Sequence, residues 1–283
     1  MSLGAIDKDH LGIPGESTAI LGMRVDPVSV HEAADLIIEW TREPASRVVC
    51  AANVHMIMEA YDHPDFQAMI NAADLVLPDG TPTVWGLRLQ GADIQSRVRV
   101  SPDFIFEVLA RAELAGTPVG LYGGTNESLP EITSLLQTGF PGLSIRFAYA
   151  PPFRPLTPDE DTKVSSDIIS SGAQLLLVGI GCPKQEKWMT AHRPALPCVM
   201  MGVGAAFDLF AGKTKDAPAW THNTGLEWCY RLALEPRRLW QRHVRNDPRF
   251  LALLAEEQIT KLRPRADAAP KATNVREDQA AQR

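Results

Sequence analysis

Two patterns of apolar and polar residues alternate along the chain: short apolar runs, and segments in which apolar residues recur at helical spacing. Short runs rich in apolar residues are typical of strands buried on both faces of a parallel sheet. These runs lie at 19–25, 47–52, 75–77, 119–122, 143–148, 175–178 and 199–203. Between them, apolar residues recur at helical spacing, as in 28–40 and 104–115. The alternation predicts an α/β fold, with a Rossmann-like, mostly parallel sheet and helices on both faces.

One strand-to-helix transition combines several features of an anion-binding turn. The apolar run 175–178 is followed by Gly179 and Gly181, which allow the backbone to turn tightly and lie close to a ligand. Pro183 suits the first turn of a helix, where free N–H groups and the helix dipole favour a phosphate. The polar residues on that turn are Lys184, Gln185 and Glu186. The alternative is an ordinary turn followed by a solvated Lys-Gln-Glu face.

Other polar turns follow neighbouring predicted strands. In parallel sheets, ligands bind at the carboxyl ends of the strands, so these turns are candidates for the same site. Their candidate residues are Asn53, His55, Asp79, Gly80, Thr81, Gly123 and Gly124. Asp79 is placed to act as a general base, although Asp-Gly is also a common turn pair. Asn53 can bind a sugar hydroxyl or a base, or cap a helix, and His55 can be an acid, a base or a helix-start residue.

Three further features have both a binding and a structural interpretation. Arg97 or Arg99 can bind a pyrophosphate, and each can equally be a solvated loop residue. Asp208 can meet a ligand or cap a turn. The segment 202–204 resembles part of a dinucleotide fingerprint, which leaves an NAD-dependent oxidoreductase as a weaker alternative because a third glycine is missing.

Composition and charge narrow the class of protein. The chain has 283 residues, of which 45% are hydrophobic, and this is enough for a sizeable core. The net charge of −6 argues against general nucleic-acid binding. Four scattered cysteines without a CxxC pair indicate a reduced, cytosolic protein without a zinc site. No apolar stretch has the length of a membrane span.

The C-terminal region differs from the rest of the chain in composition, because it is rich in arginine and aromatic residues. Residues 228–250 interleave aromatic and aliphatic residues with six arginines, and Pro236 predicts two short helices there. The arginines are Arg231, Arg237, Arg238, Arg242, Arg245 and Arg249. One interpretation is a membrane-surface segment that binds anionic headgroups or a lipid diphosphate. The other is a helical pair that packs on the core and exposes its arginines to water.

Five segments together resemble the WecG/TagA/CpsF family of bacterial glycosyltransferases (glycosyltransferase family 26). They are 73–91, 119–128, 175–189, 202–220 and 225–250, in the family's order. The resemblance implies inverting transfer of a sugar, of the N-acetylmannosamine or glucuronic-acid type, from a UDP-sugar without a metal or cofactor. The implied acceptor is a polyprenyl-diphosphate-linked saccharide of cell-envelope or exopolysaccharide biosynthesis at the inner face of the cytoplasmic membrane.

The resemblance also assigns roles to particular residues. Asp79 would be the general base, Gln185 would contact the nucleotide-sugar, and the basic C-terminal segment would reach the lipid diphosphate. The predicted organisation is a loose arm (1–18), an α/β core (19–210), a basic helical appendage (211–262) and a disordered tail (263–283). We expect a homo-oligomer, because a shallow site would gain cover from a neighbour. A non-catalytic membrane adaptor that uses the basic segment alone is the other alternative.

Overall fold

The structure is a computed structural model that describes residues 17–93, 103–204, 206–212 and 236–262, with side chains from 246 to 261 in the last segment. The strands are β1 (Thr18–Ile20), β2 (Met23–Val25), β3 (Arg47–Ala52), β4 (Leu75–Pro78), β5 (Val119–Gly123), β6 (Ile145–Tyr149), β7 (Leu175–Gly179) and β8 (Val199–Gly202). The helices are α1 (Val30–Trp40), α2 (Val54–Asp62), α3 (Pro64–Asn71), α4 (Thr81–Leu89), α5 (Asp103–Ala115), α6 (Ser128–Gly139), α7 (Pro158–Ser171), α8 (Lys184–His192), α9 (Ala206–Phe210) and α10 (Pro236–Leu262).

The main sheet has six strands in the order β4-β3-β8-β7-β5-β6, and all of its neighbours are parallel. This confirms the predicted α/β fold. The single strand expected over 19–25 is wrong, because the chain reverses there. Leu21 and Gly22 have positive φ angles of 50° and 81°, and they separate β1 from its antiparallel partner β2.

Helices cover both faces of the sheet, and two hydrophobic clusters fill the space beneath them. One cluster includes side chains of α1, α5, α6 and α9. The other includes side chains of the β1–β2 hairpin and of α2, α3, α4, α7, α8 and α10. Successive residues of β7 alternate between the clusters, with Leu175 and Leu177 in one and Leu176 and Val178 in the other. Because both faces of β7 are buried in hydrophobic clusters, the strand has no polar face.

The sheet has a topological switch point between β5 and β7, which are adjacent strands. The chain leaves β5 for α6 on one face and leaves β7 for α8 on the opposite face. Connections that diverge in this way leave a crevice at the carboxyl ends of the two strands, and such crevices are where ligands bind in open α/β sheets.

Helix α10 packs against the same face as α2. Phe250 and Leu254 are buried in the second cluster, and Arg249 makes two hydrogen bonds to Asp62, at 2.7 and 2.6 Å. The helix begins at Pro236 and continues through Pro248 to its end, so Pro236 starts one long helix. The part of the predicted appendage before Pro236 and after Gly212 lies outside the described residues. None of the described helices combines the length and the hydropathy needed to cross a membrane.

Candidate functional site

The candidate base Asp79 directly follows β4, in a turn that is tied to β3. The N–H of Asp79 and the hydroxyl of Thr83 both donate to the carbonyl of Ala52, at 2.9 and 3.0 Å. Gly80 then adopts a positive φ of 87° and leads into α4, whose first residue is Thr81. These bonds hold the half-buried Asp79 beside the end of the neighbouring strand.

Asn53 directly follows β3, the strand next to β4, and its side chain faces Asp79. Its side-chain oxygen accepts from the N–H of Met56 at 3.2 Å, so Asn53 is the N-cap of α2, in agreement with one of its two predicted roles. Its Nδ2 lies 3.5 Å from Oδ2 of Asp79, at the long limit of a hydrogen bond. The cap fixes the amide and leaves its N–H₂ group facing the carboxylate. The two residues are thus brought together, as expected from adjacent parallel strands.

His55 lies one residue into α2 and is half-buried. Its Nδ1 is 3.4 Å from the Nδ2 of Asn246 on α10. The last helix therefore contacts a candidate residue of the site and forms part of the wall beside it.

The turn after β7 differs from the interpretation of a solvated face. Lys184 is exposed, but Gln185 and Glu186 are only 2% and 0% exposed. The helix itself begins at Lys184, with Pro183 as its N-cap residue. The N–H of Gln185 donates to the carbonyl of Gly181 at 2.9 Å, so the turn itself uses one N–H of this helix end.

The side chain of Gln185 joins two neighbouring strand ends. Its Nε2 donates to Oε1 of Glu186 at 2.7 Å, and its Oε1 accepts from the N–H of Gly204, which follows β8, at 3.1 Å. Burial raises the pKa of the Glu186 carboxyl, more than its hydrogen bonds lower it. The sequence offers no signal for this arrangement, since a Lys-Gln-Glu helix start is ordinarily polar and exposed.

Four glycines at the strand ends, three of them predicted site residues, fall into two groups. Gly123 and Gly179 serve packing, because a Cβ on Gly123 would lie 2.4 Å from the carbonyl oxygen of Gly179, and one on Gly179 would lie 2.7 Å from the ring of Phe207. At Gly181 and Gly204 the φ angles are 84° and 57°, and a Cβ on either residue would have no described atom within 4 Å. As far as the described residues show, the turns after β7 and β8 are therefore open on this side.

Gly124 and Asp208 lie beside the crevice. A Cβ on Gly124 would meet the hydroxyl of Ser128 at 3.0 Å and the Phe207 ring at 3.9 Å. Asp208 is half-buried on α9, one residue after Phe207. Gly202, the first glycine of the dinucleotide-like segment, is in β8, and its missing side chain makes room for Gln185, whose Nε2 would lie 2.8 Å from a Cβ there. Gly202 therefore has a packing role in the structure.

Several predicted residues fall outside what the structure describes. These are Arg97, Arg99 and Arg231, together with the side chains of Arg237, Arg238, Arg242 and Arg245. Arg249 is described, and it pairs with Asp62 and lies over the ring of Tyr61 at 5.3 Å. This arginine therefore takes part in the packing of α10 against α2.

Two Asp-x-Asp triplets occur in the chain, and one lies in the described part. In Asp159–Asp161, Glu160 closes a capping box with Thr157 and pairs with Arg154, and Asp161 contacts His192 at 3.1 Å. Glu160 and Asp161 are therefore engaged in helix capping and in contacts with basic residues. Across the described residues, no three His, Cys, Asp or Glu side chains are grouped so that they could hold a metal ion.

The strand ends thus define an α/β protein with a candidate ligand site along the carboxyl edge of its parallel sheet. A sequence model of the glycosyl transferase WecG/TagA/CpsF family matches residues 18–264, which is most of the chain. The chain therefore belongs to this family of glycosyltransferases, and the resemblance of its five segments is confirmed.

Proposed function

We propose that this glycosyltransferase moves a sugar from a UDP-sugar to a polyprenyl-diphosphate-linked saccharide, with inversion and without a metal or cofactor. The donor sugar is of the N-acetylmannosamine or glucuronic-acid type, and the product enters a cell-envelope polysaccharide or an exopolysaccharide. The observation that carries the proposal is the pairing of Asp79 with Asn53 at the ends of β4 and β3. It gives a half-buried carboxylate beside an amide donor, at the edge where ligands of such sheets bind.

In the proposed reaction Asp79 is the general base. It accepts the proton of the acceptor hydroxyl while that oxygen bonds to the anomeric carbon from the side opposite UDP. The bond between the anomeric carbon and the UDP oxygen breaks, and the electron pair leaves with UDP. The amide of Asn53 orients the carboxylate, and His55 lines the same end.

UDP would occupy the middle of the carboxyl edge. The positive end of α8 and the exposed Lys184 favour a diphosphate there, and the open turns at Gly181 and Gly204 leave it room. Three strand spacings separate β4 from β7, about 14 Å. An extended nucleotide-sugar suits this distance, because it carries its transferable sugar and its base at opposite ends of a diphosphate. Arg97 or Arg99 would contribute a positive charge that stabilises the negative charge developing on the leaving UDP.

The acceptor brings the protein to the inner face of the cytoplasmic membrane in this proposal. Arg231, Arg237, Arg238, Arg242 and Arg245 would bind the lipid diphosphate and anionic headgroups, each worth ~1 kcal/mol near the surface. The contact of α10 with His55 supports a position of this segment beside the acceptor end. A homo-oligomer would cover the open edge of the site.

Calorimetric titration of the full chain with UDP, in EDTA, tests the nucleotide and the metal independence together. We expect UDP to bind, and NADH and ATP to bind at least tenfold more weakly. Binding of NADH in preference to UDP would contradict the proposal and favour the oxidoreductase. Failure of all three nucleotides to bind, with the protein folded and vesicles present, would favour the adaptor.

A further inference from the structure

The turns after β7 and β8 are joined by a chain of two buried side chains. Glu186 is fully buried and accepts a hydrogen bond from Gln185 through Oε1, and Gln185 accepts the Gly204 N–H through its own Oε1. The Gly204 N–H can only donate, so it requires the amide oxygen on its side and leaves Nε2 facing Glu186. The orientation of the Gln185 carboxamide is thus set from both ends.

Packing leaves this carboxamide little freedom to move. A Cβ on Gly202 would lie 2.8 Å from the Gln185 Nε2 and 3.2 Å from the end of the Met189 side chain. Only glycine at this position in β8 leaves space for the carboxamide, so the strand and the side chain fit one another. Such close packing holds an interior side chain in one rotamer.

The carboxyl group of Glu186 has no charged partner among the residues that the structure describes. No described Lys, Arg or His forms an ion pair with it, and its Oε2 has no hydrogen-bond partner among the described residues. Hydrogen bonds to the carboxyl group from Gln185, from the backbone N–H of Glu186 and from the Cys182 thiol lower its pKa, but burial raises the pKa more. In the described part of the chain, the titratable groups that interact with it are two thiols. Cys182 lies in its own turn, and Cys50 lies on β3, where burial raises the pKa of the thiol. An unpaired buried carboxylate is costly, and such a group normally takes up a proton.

We propose that Glu186 is a positioning residue that stays protonated at neutral pH, and that its neutral carboxyl anchors Gln185 so that Gln185 holds the Gly204 N–H. The proton resides on Oε2, because Oε1 accepts the Gln185 hydrogen bond. The consequence is a fixed spacing between the two open turns at Gly181 and Gly204. The relevance of that spacing to UDP rests on the proposed function, whereas the protonation and the anchoring do not.

Burial raises the pKa of the folded-state carboxyl above its ordinary value of 4.5, and this sets the sign of a stability test. Above pH 4.5 the unfolded chain releases the Glu186 proton while the folded chain keeps it. The contribution of this group to stability is therefore fully present below that pH and is lost as the pH rises toward the folded-state pKa.

The first experiment compares urea unfolding of the full chain and of Glu186→Gln between pH 5 and pH 8. Glutamine keeps the neutral hydrogen-bonding shape but cannot ionise. We expect the unfolding equilibrium constant of the native chain, divided by that of the variant, to rise by up to about tenfold per pH unit. Glu256→Gln, at an exposed position of α10, is the matched control and should give a flat ratio. A flat ratio for Glu186→Gln would show an ionised carboxyl and overturn the proposal.

The second experiment follows hydrogen exchange of the Gly204 amide by NMR, without any nucleotide. Glu186→Gln should leave the exchange rate unchanged, since a glutamine oxygen still accepts from Gln185. Glu186→Leu, of similar volume, removes the acceptor and should accelerate exchange about fivefold, the size of one ordinary hydrogen bond. Glu186→Met replaces it if the leucine variant does not fold. Unchanged exchange in the apolar variant, or faster exchange in Glu186→Gln, would contradict the anchoring role.

A third measurement connects the anchor to the nucleotide site. UDP affinity should be unchanged in Glu186→Gln and about fivefold lower in the apolar variant, in proportion to the lost hydrogen bond. If Gly204 exchange responds and UDP affinity does not, the anchor stands and its link to UDP is wrong. If the native chain does not bind UDP, the proposed function fails while the first two experiments still decide the role of Glu186.

Discussion

Asp79 and Glu186 both follow strands of the same parallel sheet, three strand spacings apart, and their surroundings differ in nearly every respect. Asp79 is half-buried and lies beside an amide N–H₂ group at the end of an adjacent strand. Glu186 is fully buried, receives a hydrogen bond from the residue before it, and has one oxygen without a partner among the described residues.

The difference shows that position at the carboxyl edge does not decide what a carboxyl group does. A partly exposed carboxylate beside an amide donor can ionise and accept a proton from a substrate. A fully buried one without a cation avoids its charge and becomes a neutral hydrogen-bonding group. The β3–β4 end is therefore the chemical end of the proposed site, and the β7–β8 end is the framework that positions it.

The largest expected effect comes from removing the carboxylate at the chemical end. Asp79→Asn keeps the shape of the side chain but cannot accept the acceptor's proton. We expect sugar transfer to fall by ~10²–10⁴-fold, the usual size of a general-base contribution, with UDP affinity unchanged. A transfer assay with a lipid-diphosphate acceptor and a calorimetric titration measure the two quantities.

Asp93→Asn is the control for this substitution, because Asp93 is exposed and follows α4 outside the site. It should transfer sugar at the native rate. Native transfer by Asp79→Asn would remove the proposed chemical difference between the two strand ends, whereas loss of UDP binding would show that Asp79 holds the donor.

Much of the fold could be predicted because its signals are local. The unbroken apolar run of β7 and the helical period of α1 each determine an element without reference to the rest of the chain. The β1–β2 hairpin could not be predicted, because a short apolar segment looks like one strand until Leu21 and Gly22 are known to have positive φ. The order of the strands also could not be predicted from the sequence pattern, because it depends on the face of the sheet on which each connecting helix packs.

The candidate site could be predicted only in part, for a related reason. Asn53 and Asp79 come together because parallel neighbours place their carboxyl ends side by side, and alternation alone predicts that edge. The burial of Gln185 and Glu186 depends on how α8 packs against β8, with a glycine at position 202 making the room. Long-range fits of this kind leave no periodic signal, so a polar helix start conceals a buried pair.

The next largest effect is expected at Gly123 and Gly179, where β5 and β7 lie in close contact. Gly123→Ala would place a Cβ 2.4 Å from the Gly179 carbonyl oxygen, at a φ of 142° that suits glycine. Because the Cβ is fixed to the backbone of β5 and the oxygen belongs to the backbone of β7, neither can move aside cheaply. We expect the free energy of unfolding to fall by about 2–4 kcal/mol from overpacking and backbone strain. The urea midpoint should shift while the m-value stays constant.

Gly139→Ala is the matched control, because Gly139 is the last residue of α6 and a Cβ there would have no described atom within 4 Å. It should leave stability unchanged or raise it by up to about 1 kcal/mol through the unfolded chain. Equal stability of the two variants would show that the close contact between β5 and β7 is not required, and the crevice would then lack its rigid floor.

The smallest expected effect separates two functions of one side chain at the chemical end. Asn53 and Ser29 both cap helices, with N–H to oxygen distances of 3.2 and 3.3 Å, and alanine at either position should cost ~1 kcal/mol of stability. Only Asn53 also faces Asp79, so only Asn53→Ala should slow sugar transfer, by about fivefold for the loss of one weak orienting hydrogen bond. Stability is measured by urea unfolding and sugar transfer by initial rates.

Because Ser29→Ala carries the same loss of capping, any fall in rate that both variants share reflects stability. Equal rates would mean that Asn53 is a cap alone and does not orient Asp79.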